Sequence, residues 1–177
     1  KSYTSSLMFG VQWNLVLKHI EVKEGTDATK LATIQSALRS DSTGWGNYYN
    51  ATFEINRGKY AKYGALTAWY NYNNESGLAN CVTYANGKST KLSASSNSNS
   101  ILLTTGASDA CKKMNIYDLA GNVWEWTLEY TATTNVPCAL RGGYYGIRGF
   151  ECPDSYRNLD ATTNSHNSIG FRSSLFK

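Results

Sequence analysis

The segment Asn115–Thr127, which reads Asn-Ile-Tyr-Asp-Leu-Ala-Gly-Asn-Val-Trp-Glu-Trp-Thr, constrains this chain more than any other. Trp124 and Trp126 stand two residues apart, with Val123, Glu125 and Thr127 in the alternate positions. In an extended strand that spacing puts both indoles on one face, where each can bury a large area and anchor a core. Leu119-Ala120-Gly121-Asn122, immediately before, reads as a turn in which Gly121 is free to take positive φ. Asp118, Asn122 and Glu125 therefore fall around one tight turn. Two carboxylates beside exposed backbone carbonyls suit a hard cation such as calcium. An indole-anchored hairpin with ordinary surface carboxylates uses the same residues, because Asp and Asn favour turns in any case.

The rest of the chain reads as a single α+β domain, 177 residues long with 41% hydrophobic residues, enough to bury a real core. Gly10 to Lys23 has helical spacing, with Val11, Leu15, Val16 and Ile20 recurring and Trp13 and Leu17 widening the stripe. Asp27 is placed to cap a second helix through Leu38, with Leu31, Ile34 and Leu38 on one face. Lone His19 on the first helix reads as solvated or hydrogen-bonded rather than as a ligand. Trp45, flanked by Gly44 and Gly46, reads as an indole packed beneath an irregular loop. Asn71 to Ser100 is poor in apolar residues and predicts a long mobile surface loop. Ile101 to Gly106 predicts a short strand, and Ile169 to Leu175 a closing strand with Phe171 in the core. Asn50-Ala51-Thr52 and Asn74-Glu75-Ser76 are glycosylation sequons. The expectation is two helices near the N-terminus, a small antiparallel sheet, and much irregular structure pinned by Trp13, Trp45, Trp124 and Trp126.

Charge and cysteine content exclude several classes. Net charge is only +4, with no Lys/Arg run, so nucleic acid is not a partner on this reading. No stretch has the length of a membrane span, which argues against membrane insertion by this segment. Cys81, Cys111, Cys138 and Cys152 form no CxxC pair and the chain has two histidines, which argues against zinc. Three disulfide connectivities remain open, among them Cys81 with Cys111 and Cys138 with Cys152, and four free thiols are equally compatible with the sequence. Tyrosine outnumbers phenylalanine 13 to 5, a surplus that suits a recognition surface, where a rigid ring carries a hydroxyl.

The Asn115–Thr127 segment resembles the central motif of the formylglycine-generating enzyme family, whose domains adopt a variant of the C-type-lectin fold. Phe9-Gly10-Val11-Gln12-Trp13, Gly44-Trp45-Gly46-Asn47, Arg141-Gly142-Gly143 and Ile169-Gly170-Phe171-Arg172 occur in the matching order. The resemblance spans about residues 7 to 175, and the family's first strands normally precede the equivalent of Phe9. It implies a C-type-lectin-like, formylglycine-generating-enzyme-like fold over residues 1–177, the chain being either a fragment or a domain whose N-terminal part lies elsewhere. It also implies a structural calcium on the Asp118 side chain, the Gly121 and Val123 carbonyls, and the Glu125 side chain. Some relatives hold another calcium near the equivalents of Asn47 and Tyr48 with a later Asp; Ala61-Lys62-Tyr63 offers no such acid.

The family's founders hold copper(I) on two cysteines after the Gly-Gly segment and oxidise a substrate cysteine to formylglycine. Counted from Gly142-Gly143, those positions fall on Ile147 and Cys152. One thiolate does not make the two-sulfur site that copper(I) requires, so no copper and no catalysis are expected. The iron-dependent sulfoxide synthases need a histidine-rich site, for which His19 and His166 are too few. The better resemblance is to the variable proteins of diversity-generating retroelements. In those, adenine mutagenesis between the Arg-Gly-Gly and Gly-Phe-Arg motifs yields Asn, Tyr, Ser, Asp, His, Ile and Phe. The expectation is a non-catalytic ligand-binding domain, extracellular or on a cell surface, of a bacterium or a phage particle. Its predicted ligand face runs through Tyr144, Tyr145, Ile147, Arg148, Phe150 and Glu151, and continues at Asn158, Leu159 and Asp160. The partner would be a protein or a glycan. A formylglycine-generating oxidoreductase and a carbohydrate-binding lectin are the alternatives, although the Glu-Pro-Asn calcium–sugar motif is absent.

Overall fold

Two α-helices and fourteen short strands are described among residues 3–75 and 77–176 of the computed structural model, residue 176 by its backbone alone. In chain order they are β1 (Thr4–Leu7), α1 (Gly10–Glu24), α2 (Ala28–Arg39), β2 (Phe53–Ile55), β3 (Lys59–Lys62), β4 (Trp69–Asn71), β5 (Val82–Ala85) and β6 (Lys88–Lys91). Then follow β7 (Ile101–Leu103), β8 (Lys112–Lys113), β9 (Ile116–Tyr117), β10 (Trp124–Tyr130), β11 (Cys138–Arg141), β12 (Asn158–Asp160), β13 (Ile169–Phe171) and β14 (Ser173–Phe176). The class is α+β.

Helix α1 begins where the Phe9 backbone N–H donates to Gln12 Oε1 at 2.8 Å, half of a capping box. Its buried stripe is Trp13, Leu17 and Ile20, at i, i+4 and i+7. Val11 and Leu15, expected in that stripe, are exposed. Each lies two residues from Trp13, which on a helix of about 3.6 residues per turn points to nearly the opposite side. Glu21 is buried beside the stripe, because Lys18, Gln35 and Arg39 donate to its carboxylate at 2.7, 3.0 and 2.6 Å. Those donors hold its carboxyl below the usual range, with the Lys18 bond the largest cause. Asp27 caps α2, its Oδ1 accepting from Lys30 N at 2.8 Å. Between the helices and the turn before β10, Trp13, Ile20, Leu38, Trp45 and Tyr48 form the largest buried cluster. Burial of side chains this large contributes roughly 2 kcal/mol or more each.

The strands form five small sheets among the described residues, rather than one. The largest has the order β12-β11-β10-β13, and in it β10 and β13 run parallel. A parallel return needs a long connection, and the segment between β11 and β13 supplies it. Trp124 pairs with Ile169, and Trp126 with Phe171 on one side and Leu140 on the other. Trp124 is buried and Trp126 half-buried. Phe171, expected in the core, is 71% exposed. Ile169 packs against the Trp124–Leu140–Cys152 cluster, whereas Phe171 sits beside Trp126 at the uncovered end of the same face.

The segment predicted as a mobile loop, Asn71 to Ser100, holds a hairpin instead: β5 and β6 pair antiparallel, and β6 pairs in turn with β2. Asn86 and Gly87 make its two-residue turn at φ 53° and 78°, the conformation an Asn-Gly hairpin favours. Low apolar content misled because these strands bury few residues, Val82, Ser89 and Lys91 among them. The Lys91 ammonium ends on backbone carbonyls, donating to Tyr48, Tyr49 and Ala51 at 2.8, 3.2 and 2.7 Å.

All four cysteines are free thiols, and none of the pairings left open by the sequence is formed. Of the two sequons, Asn50 spends its amide within the fold, donating to Thr43 Oγ1 at 2.9 Å and accepting from Gly149 N at 3.2 Å. Ser76 of the other lies outside the described residues.

Candidate functional site

The turn before β10 is a crossing point for three distant segments. Gly121 takes φ 69° and bridges to Asn47, and a Cβ there would lie 2.6 Å from the Asn47 carbonyl oxygen. Asn122, also at positive φ, is buried, and its amide ties the turn to Asn47 and β7. Its Oδ1 accepts from Asn47 Nδ2 at 3.0 Å and from Leu103 N at 3.1 Å, and its Nδ2 donates to Leu103 O at 3.1 Å. Its carbonyl accepts from Tyr145 N at 3.0 Å. This clasp was not foreseen; Asn122 read only as a turn residue.

Asp118 and Glu125 flank that turn and both are buried. Asp118 Oδ2 accepts from Gly106 N at 2.7 Å, while Oδ1 has no hydrogen-bond partner. Glu125 is engaged by a residue assigned no role from the sequence: Arg172 donates Nε to Oε2 at 2.9 Å and Nη2 to Oε1 at 2.7 Å. The same guanidinium reaches the Tyr117 and Asp118 carbonyls at 3.0 and 3.2 Å. Burial pushes both carboxyls above their ordinary range, with the Gly106 N–H opposing at Asp118 and Arg172 opposing at Glu125. Asp154, wholly buried with neither carboxylate oxygen hydrogen-bonded, is driven well above that range by the same desolvation, and next by the charge of Glu125.

Beside this turn, on the face of the largest sheet, lies an open cavity of about 590 Å³. Trp124, Leu140 and Ile169 line it from the sheet, and Tyr144, Ile147 and Cys152 from the segment after β11. Tyr156, Asn158, Asp160, Asn164, His166 and Ser168 complete the lining. The Trp124 ring is 6.2 Å from both Tyr144 and Tyr156 by centroids, with planes at 29° and 42°. Gly143 makes the wall possible: it takes φ 78°, and a Cβ there would meet the Cys152 carbonyl oxygen and the Tyr48 ring at 2.8 Å.

The nine predicted ligand residues do not share one exposed face. Tyr144, Ile147, Asn158 and Asp160 come together on the cavity. Tyr145 is 0% exposed, its ring edge-on to Tyr144, so it belongs to the core. The adjacency of two tyrosines hid this: they enter a turn closed by Ile147 N donating to Tyr144 O at 3.2 Å, and only one of the two rings is left on the cavity. Leu159 falls between Asn158 and Asp160 and lies on the other side of β12, because consecutive strand residues point to opposite sides. Arg148, Phe150 and Glu151 form a separate surface knob, in which the guanidinium lies 5.5 Å from the Tyr49 and Phe150 ring centroids and 3.5 Å from Glu151. Tyr156, Asn164, His166 and Ser168 were not foreseen as site residues, although all fall in the same aperiodic stretch before β13.

Residues 24–174 match the family described as Sulfatase-modifying factor enzyme 1-like domain, FGE-sulfatase. The chain belongs to that family. Neither a curated protein nor a solved structure gives a significant match. Within this FGE-sulfatase domain, the two positions that the family's copper chemistry points to, Ile147 and Cys152, line the same cavity. Ile147 has no donor atom, and burial pushes the Cys152 thiol up to about 11. Where the resemblance places calcium, Asp118 Oδ1 is a buried oxygen without a hydrogen-bond partner, and Glu125 lies within its electrostatic reach. Arg172 is the competing cation on Glu125.

Proposed function

We propose that this FGE-sulfatase-family domain is a non-catalytic recognition module with a lectin-like form of the fold, binding a protein or glycan at the cavity beside β10. The observation that carries the reading is the chemistry of Ile147 and Cys152. A copper(I) site needs two soft thiolates. The cavity offers one thiol, and at neutral pH its raised pKa keeps it protonated. What the cavity does offer is an aromatic and aliphatic lining with a few polar groups, the usual make-up of a ligand site. A calcium ion on Asp118, the Gly121 and Val123 carbonyls and Glu125 would offset two buried negative charges and hold the turn that carries Trp124. Display outside a bacterial cell or on a phage particle, and diversification of the 144–168 stretch by a retroelement, complete the proposal.

The experiment is turnover of a peptide bearing the sulfatase recognition motif, with copper(I) and oxygen supplied. The expected result is an unmodified cysteine. Formylglycine above background, lost on Cys152→Ser, would replace this reading with the family's oxidoreductase activity. For the retroelement, the gene neighbourhood should carry a reverse transcriptase and a repeat differing from codons 144–168 only at adenines.

A further inference from the structure

The geometry points to an uncharged saccharide ring as the occupant of the cavity, a step that rests on the recognition reading above. Tyr144, Trp124 and Tyr156 form a run of rings whose neighbouring centroids are 6.2 Å apart and whose planes differ by 29° and 42°. Trp124 is 5% exposed, so Tyr144 and Tyr156 present most of the accessible aromatic surface. The same lining carries amides, hydroxyls, an imidazole and a single carboxylate, supplied by Asn158, Asp160, Asn164, Ser165, His166 and Ser168. A pyranose combines the same two kinds of surface: a C–H face that packs on aromatic rings, and an edge of hydroxyls that both donate and accept. An apolar peptide side chain would leave the polar groups unpaired, and unpaired buried polar groups are unfavourable.

The polar groups are ordered in advance. Asp160 Oδ1 accepts from Ala161 N at 2.8 Å and also from the Asn164 amide. That fixes the carboxylate and leaves its Oδ2 directed to no other described residue. His166 Nδ1 is paired with Ser168 Oγ at 2.6 Å, which leaves Nε2 for a ligand. Asn158 and Asp160 share a side of β12 through the strand alternation, so their planar groups lie two residues apart along one edge. Such a pair can address neighbouring hydroxyls of one ring. The binding groups are side chains of the cavity itself, so recognition does not run through a metal.

The test is a ¹⁵N–¹H titration of the labelled chain with methyl glycosides of glucose, galactose, mannose and N-acetylglucosamine and their β-linked disaccharides, in EDTA and in calcium. We expect saturable shifts of the Trp124 indole N–H and the Asn158 and Asn164 amides with at least one sugar, at the same Kd in both buffers. Tyr156→Ala should weaken that sugar roughly threefold to tenfold, Asp160→Ala at least as much, and Leu159→Ala not at all. No shift with any sugar, or shifts untouched by Tyr156→Ala and Asp160→Ala, would overturn the saccharide assignment. A protein ligand captured through Tyr156 and Asp160 while sugars stay silent would sink the saccharide and leave the recognition reading standing. Formylglycine formation would remove both.

Discussion

Replacing Asn122 by alanine tests whether the turn before β10 is held by one amide. The substitution deletes an acceptor for Asn47 Nδ2 and Leu103 N, and a donor to Leu103 O. Three polar groups then lose a partner at a buried site, each worth about 1–3 kcal/mol when left unsatisfied. Asn122 also sits at φ 64°, a conformation asparagine tolerates and alanine resists by roughly 1 kcal/mol. Even at the lower limits the sum is about 4 kcal/mol, a large share of the roughly 5–15 kcal/mol that holds a domain together. Asn122→Gly removes the same bonds without the strain, so it should be about 1 kcal/mol less destabilised than Asn122→Ala. Urea unfolding followed by tryptophan fluorescence gives both values by linear extrapolation. A loss below about 1 kcal/mol for Asn122→Ala, with an unchanged slope, would refute the clasp; equal losses for the two variants would refute the strain component.

Calcium should raise the melting temperature of the parent relative to EDTA, because a site formed only in the folded chain stabilises it by mass action. Asp118→Asn should abolish that difference, and a parent that melts alike in both buffers would remove the metal from the account. A second expectation concerns pH in EDTA. Asp154, Asp118 and Glu125 are all raised in the folded chain, chiefly by burial. A raised carboxyl holds its proton more tightly folded than unfolded, so its contribution favours folding at acid pH and declines as pH rises above the unfolded value of about 4. Glu21, lowered by its Lys18, Gln35 and Arg39 partners, loses its contribution only as pH falls below that value. Lys91, lowered to about 8 by burial, acts in the opposite sense above that pH. Melting temperature should therefore fall as pH rises above about 4 toward neutrality, and Asp154→Asn should flatten the fall; a flat or rising profile in the parent would contradict the burial of these acids.

What was legible in the sequence was what repeats or what rests on one residue's conformational preference. Helix α1 has several turns in which to show a period, and Asp27 announces α2 through a capping preference that acts within three residues. Gly121 declared its positive φ because few other residues adopt it. The hairpin at Asn86-Gly87 carried an equally local signal that was outweighed by low apolar content, although a strand covered on one side needs little of it. The cavity is a different case. Strands β12 and β13 are three residues long, too short for an alternation to be read, and the side each residue faces is fixed by pairing to β11 and β10. Asp160 lies opposite Cys138, and Asn158 opposite Leu140. Leu140 lines the cavity, so Asn158 and, two residues on, Asp160 face it and Leu159 does not. Arg172 illustrates the same dependence, since its ion pair with Glu125 spans 47 residues and exists only once β13 lies parallel to β10. The residues that line this cavity were therefore selected by sheet register, so a one-residue slip of β12 would exchange Leu159 for Asn158 and Asp160 and leave the aromatic rings without those polar neighbours.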